Sequence, residues 1–341
     1  MSGLPKLSVL DLATVADGST PAVALRNSLE LSQHAERLGF HRYWVAEHHN
    51  MPGIASSAPA VLIAEIASAT ETMRVGSGGV MLPNHAPLVV AEQFGMLDAL
   101  HPGRIDLGIG RAPGTDGVTA MALRRDANPL SDDDFPQALG ELVSFFEGKF
   151  PAGHPYGSIT AVPGAGNTPE IWLLGSSGYS AQVAGMLGWP FSFAHHFMAR
   201  NTLPALELYR DTFKPSPRLE QPEAMVAVAV ICADDDETAR YLSRPARLSM
   251  ARLRSGNPTR MPSNEEAEAH EFSAADEAKI ADLSGSAIVG GPDTVRRRLE
   301  ELAESTKANE LMITTMVFDH ADRMRSYELV AELAGMRATA S

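Results

Sequence analysis

The feature that most constrains this chain is an alternation. A short, almost continuously apolar run is followed by a longer run with helical spacing, and the pair recurs. The first pair is the run at 6–12 and a helical pattern carrying Leu25, Leu29, Leu31, Ala35 and Leu38. Thr20 supplies an N-cap for that helix, Pro21 its first residue and Gly39 its stop. Strand-like runs follow at 42–46, 73–82, 104–109, 170–174, 190–194, 225–232 and 310–316. Helical patterns occupy 59–69, 88–100, 117–125 with 132–146, 180–187, 201–213, 292–305 and 319–335. Helices between successive strands make the strands parallel, and strands covered on both faces read as continuous apolar runs. Eight such units in 341 residues predict an α/β fold, a closed (β/α)8 TIM barrel, as a single domain over residues 1–341. An open, doubly wound sheet fits less well. Asp11-Leu12-Ala13-Thr14 carries no glycine fingerprint, and Gly108-Ile109-Gly110 is followed by Pro113 where the third small residue would stand.

Two stretches interrupt the pattern. One is the Pro- and Gly-dense segment 151–166; the other, 243–285, is read as an insertion after the seventh strand and as a lid, with a solvated surface insertion as its alternative. The 28 basic residues against 42 acidic ones leave a formal charge of −14, and the short cationic runs Arg124-Arg125 and Arg296-Arg297-Arg298 do not make a nucleic-acid face. The greasiest run, 224–232, is too short to span a bilayer and ends at Asp234-Asp235-Asp236. With the single Cys232 unable to form an internal disulfide and no leader-like N-terminus, a cytoplasmic protein is expected.

In a closed barrel the segments after the strands meet at one face, so polar residues just past strand ends are the candidates for function. Glu47-His48-His49 follows the second strand. Extended backbone alternates its side chains, so Glu47 and His49 share one side and His48 takes the other. This group suits acid/base chemistry, a metal, or structural hydrogen bonding. Gly76-Ser77-Gly78-Gly79 lies in the third strand, where glycines weaken pairing and admit a close backbone or flat ligand, or else mark a bulge. Arg111 ends the fourth strand among small residues and suits a phosphate, a carboxylate or a rim salt bridge. Gly175-Ser176-Ser177-Gly178-Tyr179-Ser180 leads from the fifth strand into a helix and reads as a phosphate cradle or an ordinary capped turn. His195-His196 after the sixth strand, His85, and Asp319-His320 are weaker candidates. The methionines show no clustering along the chain, and no thioether metal site is expected from them.

Taken together, these motifs resemble the bacterial luciferase-like family of flavin-dependent monooxygenases. Glu47-His48-His49 matches its Glu-His-His element, the segment 76–87 (GSGGVMLPNHAP) its third strand, and 104–111 its glycine and arginine strand. The resemblance runs from about residue 7 to 116 and more loosely through Gly175-Ser176-Ser177-Gly178 and 319–333. It implies a (β/α)8 fold that holds reduced FMN (FMNH2) at the strand-end face, where O2 forms a flavin C4a-hydroperoxide that oxidises a small organic substrate. By the same resemblance, Ser77, Gly78 and Gly79 lie under the isoalloxazine, with an unusual, often cis, peptide at Gly78-Gly79. Arg111, with Gly175, Ser176, Ser177, Gly178 and Tyr179, holds the phosphate. His48 is the imidazole nearest the reacting centre, Glu47 orients that element, and the insertion closes over the flavin. A separate NAD(P)H:flavin reductase and a homodimer built through helices of the second and third units also follow from the resemblance. The chain departs from luciferase subunits at Gly110, where they carry cysteine, and at Gly175, where they carry glutamate; it looks more like the substrate-diverse branch. The alternatives are a non-catalytic flavin-binding barrel, a metal-dependent hydrolase using His48, His49, His195 and His196, and a deazaflavin enzyme. No metal is expected.

Overall fold

The computed structural model describes residues 3–112, 114–124 and 134–336. Pro113, Arg125 and Asp132, named above, lie outside them. The described strands are β1 (Lys6–Asp11), β2 (Arg42–Val45), β3 (Arg74–Met81), β4 (Ile105–Gly110), β5 (Glu170–Gly175), β6 (Phe191–Ala194), β7 (Ala224–Cys232), β8 (Ile288–Gly290) and β9 (Glu310–Thr314). All pair in parallel. Every strand but β8 joins a closed ring in the order β1 to β7 and then β9, which returns to β1. The expected (β/α)8 barrel is therefore present.

The helices are α1 (Pro21–Leu38), α2 (Pro59–Ala69), α3 (Pro87–Leu100), α4 (Gly117–Arg124), α5 (Phe135–Glu147), α6 (Gly178–Leu187), α7 (His195–Met198), α8 (Thr202–Thr212), α9 (Asp236–Arg254), α10 (Asn264–Ala269), α11 (Ala274–Ser286), α12 (Pro292–Thr306) and α13 (His320–Leu333). Local chemistry sets their ends. Thr20 Oγ1 accepts the Val23 N–H, Pro21 opens α1, and Gly39 closes it at φ +86°. Proline also opens α2, α3 and α12.

The barrel interior is layered. At the amino ends of the strands Arg42, 2% exposed, donates to Asp106 (2.8 Å) and Glu310 (2.8 Å), and Arg74 donates to Asp106. Desolvation opposes the Arg42 charge, yet the surrounding carboxylates hold its pKa above the ordinary guanidinium value. The next layer is apolar. Trp44 and Trp172 meet edge to face at 5.7 Å, and the Trp44 indole N–H donates to Asp106 at 2.8 Å. Charged plug and indole layer close the barrel interior toward the amino ends of the strands, and the interior opens at their carboxyl ends.

The segment 243–285 falls in the expected insertion after the seventh strand and is largely helical: α9 begins at Asp236, capped by Asp235 onto the Thr238 N–H (2.7 Å), and α10 and α11 fill most of the remainder. Its irregular part is pinned, because Met261 exchanges backbone hydrogen bonds with Val15 (2.9 Å) and Asp17 (2.8 Å) beyond β1. One strand, β8, is additional to the expected eight. It lies outside the ring and pairs with the last three residues of β7.

Candidate active site

The open end of the barrel holds a cavity of about 610 Å³. Its floor includes Leu10, Trp44, Gly78 and Gly79. In β3 the pairing with β4 shifts register between Ser77 and Val80, and the Gly78–Gly79 peptide is cis. A Cβ on Gly79 would stand 2.7 Å from the Gly108 carbonyl oxygen, and one on Gly78 2.7 Å from Leu10 Cδ1. The absence of side chains there is required by the neighbours and leaves a bare patch of backbone facing the cavity. Ser77 points elsewhere: it is buried, and its hydroxyl donates to the Gly108 carbonyl at 3.0 Å.

Strand alternation past β2 places the Glu-His-His element as the sequence predicts. His48 lines the cavity. Its Nδ1 lies 3.2 Å from the Gly114 carbonyl oxygen, which can only accept, so in the neutral ring Nδ1 carries the proton and Nε2 a lone pair. Burial lowers the His48 pKa and favours that neutral form. Glu47 is fully buried and does not line the cavity. Its Oε1 accepts from His49 Nε2 and His85 Nε2, both at 2.8 Å, and its Oε2 from the Met81 N–H at 3.0 Å. Burial pushes its pKa up, but the bonds from His85, His49 and Met81 outweigh burial and hold it below the usual carboxylate value.

Arg111 lines the cavity from the end of β4, with its guanidinium carbon 4.4 Å from the centre of the Tyr179 ring. Gly175, Ser176 and Ser177 line the same wall. Ser177 is the N-cap of α6, yet its side chain makes no capping bond. The first-turn N–H groups of α6 have no intrahelical acceptors, so this end is suited to an anion. Gly178 and Tyr179 stand behind that wall rather than on it; Tyr179 contributes its ring beneath Arg111.

The two histidines after β6 divide. His196 reaches the cavity, with Nδ1 3.0 Å from the Ala227 carbonyl oxygen, and burial lowers its pKa to about 4. His195 turns to Thr202 Oγ1 at 2.8 Å. Asp319 caps α13 through the Ala321 N–H (2.7 Å), and His320 faces Glu30 at 3.4 Å. The four histidines considered for a metal therefore do not converge, and among the described residues no group of three or more His, Cys, Asp or Glu side chains could hold an ion.

Much of the far wall was missed from sequence. Arg240, Ser243, Arg247, Met250 and Leu253 project from one face of α9. Their three- and four-residue spacing is that of a helical face, a signal that Pro245 inside the helix obscures. Met51, Met81, Met250, Met261, Met312 and Met316 also line the cavity, so six of the chain's 15 methionines gather there although none cluster in sequence.

Residues 6–309 match the family model described as luciferase-like monooxygenase. The chain belongs to that family. It is similar to a luciferase-like monooxygenase of Escherichia coli strain K12, with 45% identity over 96% of each chain. It is also similar to the N-acetyl-S-alkylcysteine monooxygenase of Bacillus subtilis strain 168, with 35% identity over 96% of this chain and 97% of the relative. Among solved structures, apo-MsnO8 superposes with a TM-score of 0.87 at 38% identity, covering 98% of this chain and 100% of the other. As a luciferase-like monooxygenase, the protein is a flavin-dependent enzyme in the general sense. Its described helices include none long and apolar enough to cross a membrane.

Proposed function

We propose that this luciferase-like monooxygenase uses FMN, taken up in its reduced form, to oxidise a small organic substrate with O2. The observation that carries the reading is the bare Gly78–Gly79 backbone on the cavity floor, combined with Arg111 and the α6 terminus on the wall. A flat ring fits a floor that a single Cβ would spoil, and a phosphate suits one guanidinium beside backbone N–H groups at a helix start. The cavity volume lies within the roughly 300–1,000 Å³ of small-molecule sites.

Bound reduced FMN supplies the two electrons that let one atom of O2 enter the substrate while the other leaves as water. The chain's residues do the rest. Arg111, Ser176 and Ser177 hold the phosphate, and Gly78 and Gly79, with Leu10 and Trp44, seat the ring. His48 is the candidate catalytic residue: a neutral imidazole whose Nε2 accepts a hydrogen bond or proton at the reacting centre. Glu47 acts through others, tying Met81, His49 and His85 together so that the end of β3 is held in place. The segment 243–285 shields the site from water.

The reading extends to a separate NAD(P)H:flavin reductase, a cytoplasmic location and a homodimer. Exposed Val61 on α2, and Val89, Met96 and Leu100 on α3, support the dimer. Anaerobic titration of the purified protein with FMNH2, FMN and riboflavin tests the cofactor assignment. Tighter binding of FMNH2 than of FMN, and of FMN than of riboflavin, is expected. Absence of FMNH2 binding at saturating concentration refutes the reading, and binding without any substrate-dependent O2 consumption makes the protein a flavin carrier instead.

A further inference from the structure

Across the mouth from Arg111, the cavity has a second cationic face. In the eight-strand ring β4 and β9 stand four places apart, so Arg111 at the end of β4 and the helices between β7 and β9 occupy opposite sides of the mouth. From that far side Arg240 and Arg247 of α9 and Arg298 of α12 line the cavity. The two helices are clamped at their starts by Asp236, whose carboxylate accepts the Gly291 N–H (2.7 Å) and the Thr294 hydroxyl (3.2 Å). Arg240 lies four residues beyond Asp236 and Arg298 four beyond Thr294. One helical turn therefore carries each guanidinium inward from the same clamp.

Arg298 is half-buried, and its guanidinium makes no hydrogen bond or ion pair among the described residues; the group that feels its charge is His195, itself held toward the neutral form by burial. Arg26, Arg254 and Arg296 also make no ion pair among the described residues, but all three are exposed, and Arg298 is not. Arg240 is exposed; its guanidinium makes no hydrogen bond among the described residues, and the carboxylates that feel its charge are Asp235 and Asp236 at the start of its own helix. Arg247 is bound on one side to Glu277 (2.7 Å) and stacked on Phe272 (4.8 Å), while its Nε is buried without a partner. In a chain with 42 acidic residues against 28 basic ones, partners for these cations were available in excess. For half-buried Arg298, partial removal from water without a carboxylate partner is costly unless an anion arrives to meet it. Between this face and the glycine floor the wall is apolar and methionine-rich, a surface that adapts to differently shaped apolar groups.

We infer that Arg298 and Arg240, with Arg247 beside them, form a carboxylate subsite, and that the substrate is an organic acid whose apolar, oxidisable body reaches from there to the flavin. The inference rests on the flavin reading for its oxidation step, but the subsite stands on the arginines alone. The planar guanidinium fork suits a carboxylate, and anchoring one end of the substrate fixes which atom meets the oxidant.

The test is calorimetric binding to the purified full chain, with and without FMN, at low ionic strength. The probes are N-acetyl-S-benzylcysteine, N-acetyl-S-hexylcysteine and decanoic acid, each against its methyl ester. For at least one pair the acid is expected to bind about tenfold or more tighter than the ester, the range of a charge-assisted pair. Arg298→Gln is expected to erase that preference, Arg298→Lys to keep part of it, and both to leave FMN affinity unchanged. Arg240→Gln gives a second reading should Arg298→Gln fail to fold by circular dichroism. Equal binding of acid and ester in all three pairs, or an undiminished preference in both glutamine variants, overturns the subsite. Failure of the wild type to bind FMN overturns the flavin reading instead, because the acid and ester comparison is made on the flavin-free protein as well.

Discussion

Replacing Glu47 by alanine probes the link between a buried carboxylate and the shape of the cavity floor. Three donors converge on it: His49 Nε2, His85 Nε2 and the Met81 N–H. The two imidazoles are 15% and 28% exposed, so water can replace much of what they lose. The Met81 amide lies at the end of β3, where the carboxylate is its partner, and leaving this partly buried donor unpaired costs about 1–3 kcal/mol. The lost charge-assisted bonds to the imidazoles, discounted for water, and the space vacated by the side chain bring the total to about 2–4 kcal/mol. A glutamine is milder, since its amide can donate to both imidazoles in their other tautomer while its oxygen still accepts from Met81. Urea denaturation near neutral pH should therefore show a lower midpoint at unchanged slope for Glu47→Ala and a smaller drop for Glu47→Gln. The pH dependence has a fixed sign. The folded-state pKa of Glu47 lies below its ordinary value of 4.5, so its contribution is complete above that pH and is lost as pH falls through the folded pKa. The gap between wild type and Glu47→Ala should be flat near neutrality and narrow below pH 4.5. A destabilisation under about 1 kcal/mol, or a gap that widens in acid, refutes the reasoning.

Three further outcomes are expected. Arg111→Met should weaken FMN binding by about 10- to 100-fold while leaving riboflavin binding nearly unchanged, measured by flavin fluorescence, because a guanidinium–phosphate pair is lost and the ring contacts remain. Arg42→Met should cost about 3–5 kcal/mol in chemical denaturation, since Glu310 is left buried without a cation and Asp106 keeps only Arg74. His196, whose pKa is lowered from 6.5 to about 4, is neutral in the folded protein throughout that window while the unfolded chain takes up a proton. Wild-type stability should fall as pH drops from 6.5 toward 4, and His196→Gln should flatten that part of the profile in thermal melts.

The barrel was legible because strands buried on both faces and regular helices leave a pattern that survives in one dimension. The placement of His48, Gly78, Gly79, Arg111, Ser176 and Ser177 around one cavity follows from that, since a closed ring sends every strand end to the same mouth. What the sequence conceals is long-range pairing. Arg42 and Glu310 are 268 positions apart and meet because β1 lies between β2 and β9 in the ring. Glu47 reads as an active-site acid by its position after β2, yet the turn of one residue sends it into protein and His48 into the cavity. Helix α9 is hidden by Pro245, and β8 by having three residues. The cationic face is hidden more deeply, because Arg296-Arg297-Arg298 looks like a solvated helical run, and for Arg297, paired with Glu301 at 2.8 Å on the surface, that is what it is. Arg298, the next residue, is rotated about 100° around the same helix and enters the cavity. At the closed end of the barrel Arg42 and Arg74 each meet a carboxylate from the chain itself, whereas at the open end Arg298 meets none among the described residues. A half-buried guanidinium without a carboxylate at the mouth, above a plug whose arginines are paired, is the arrangement expected of a binding face set on a scaffold.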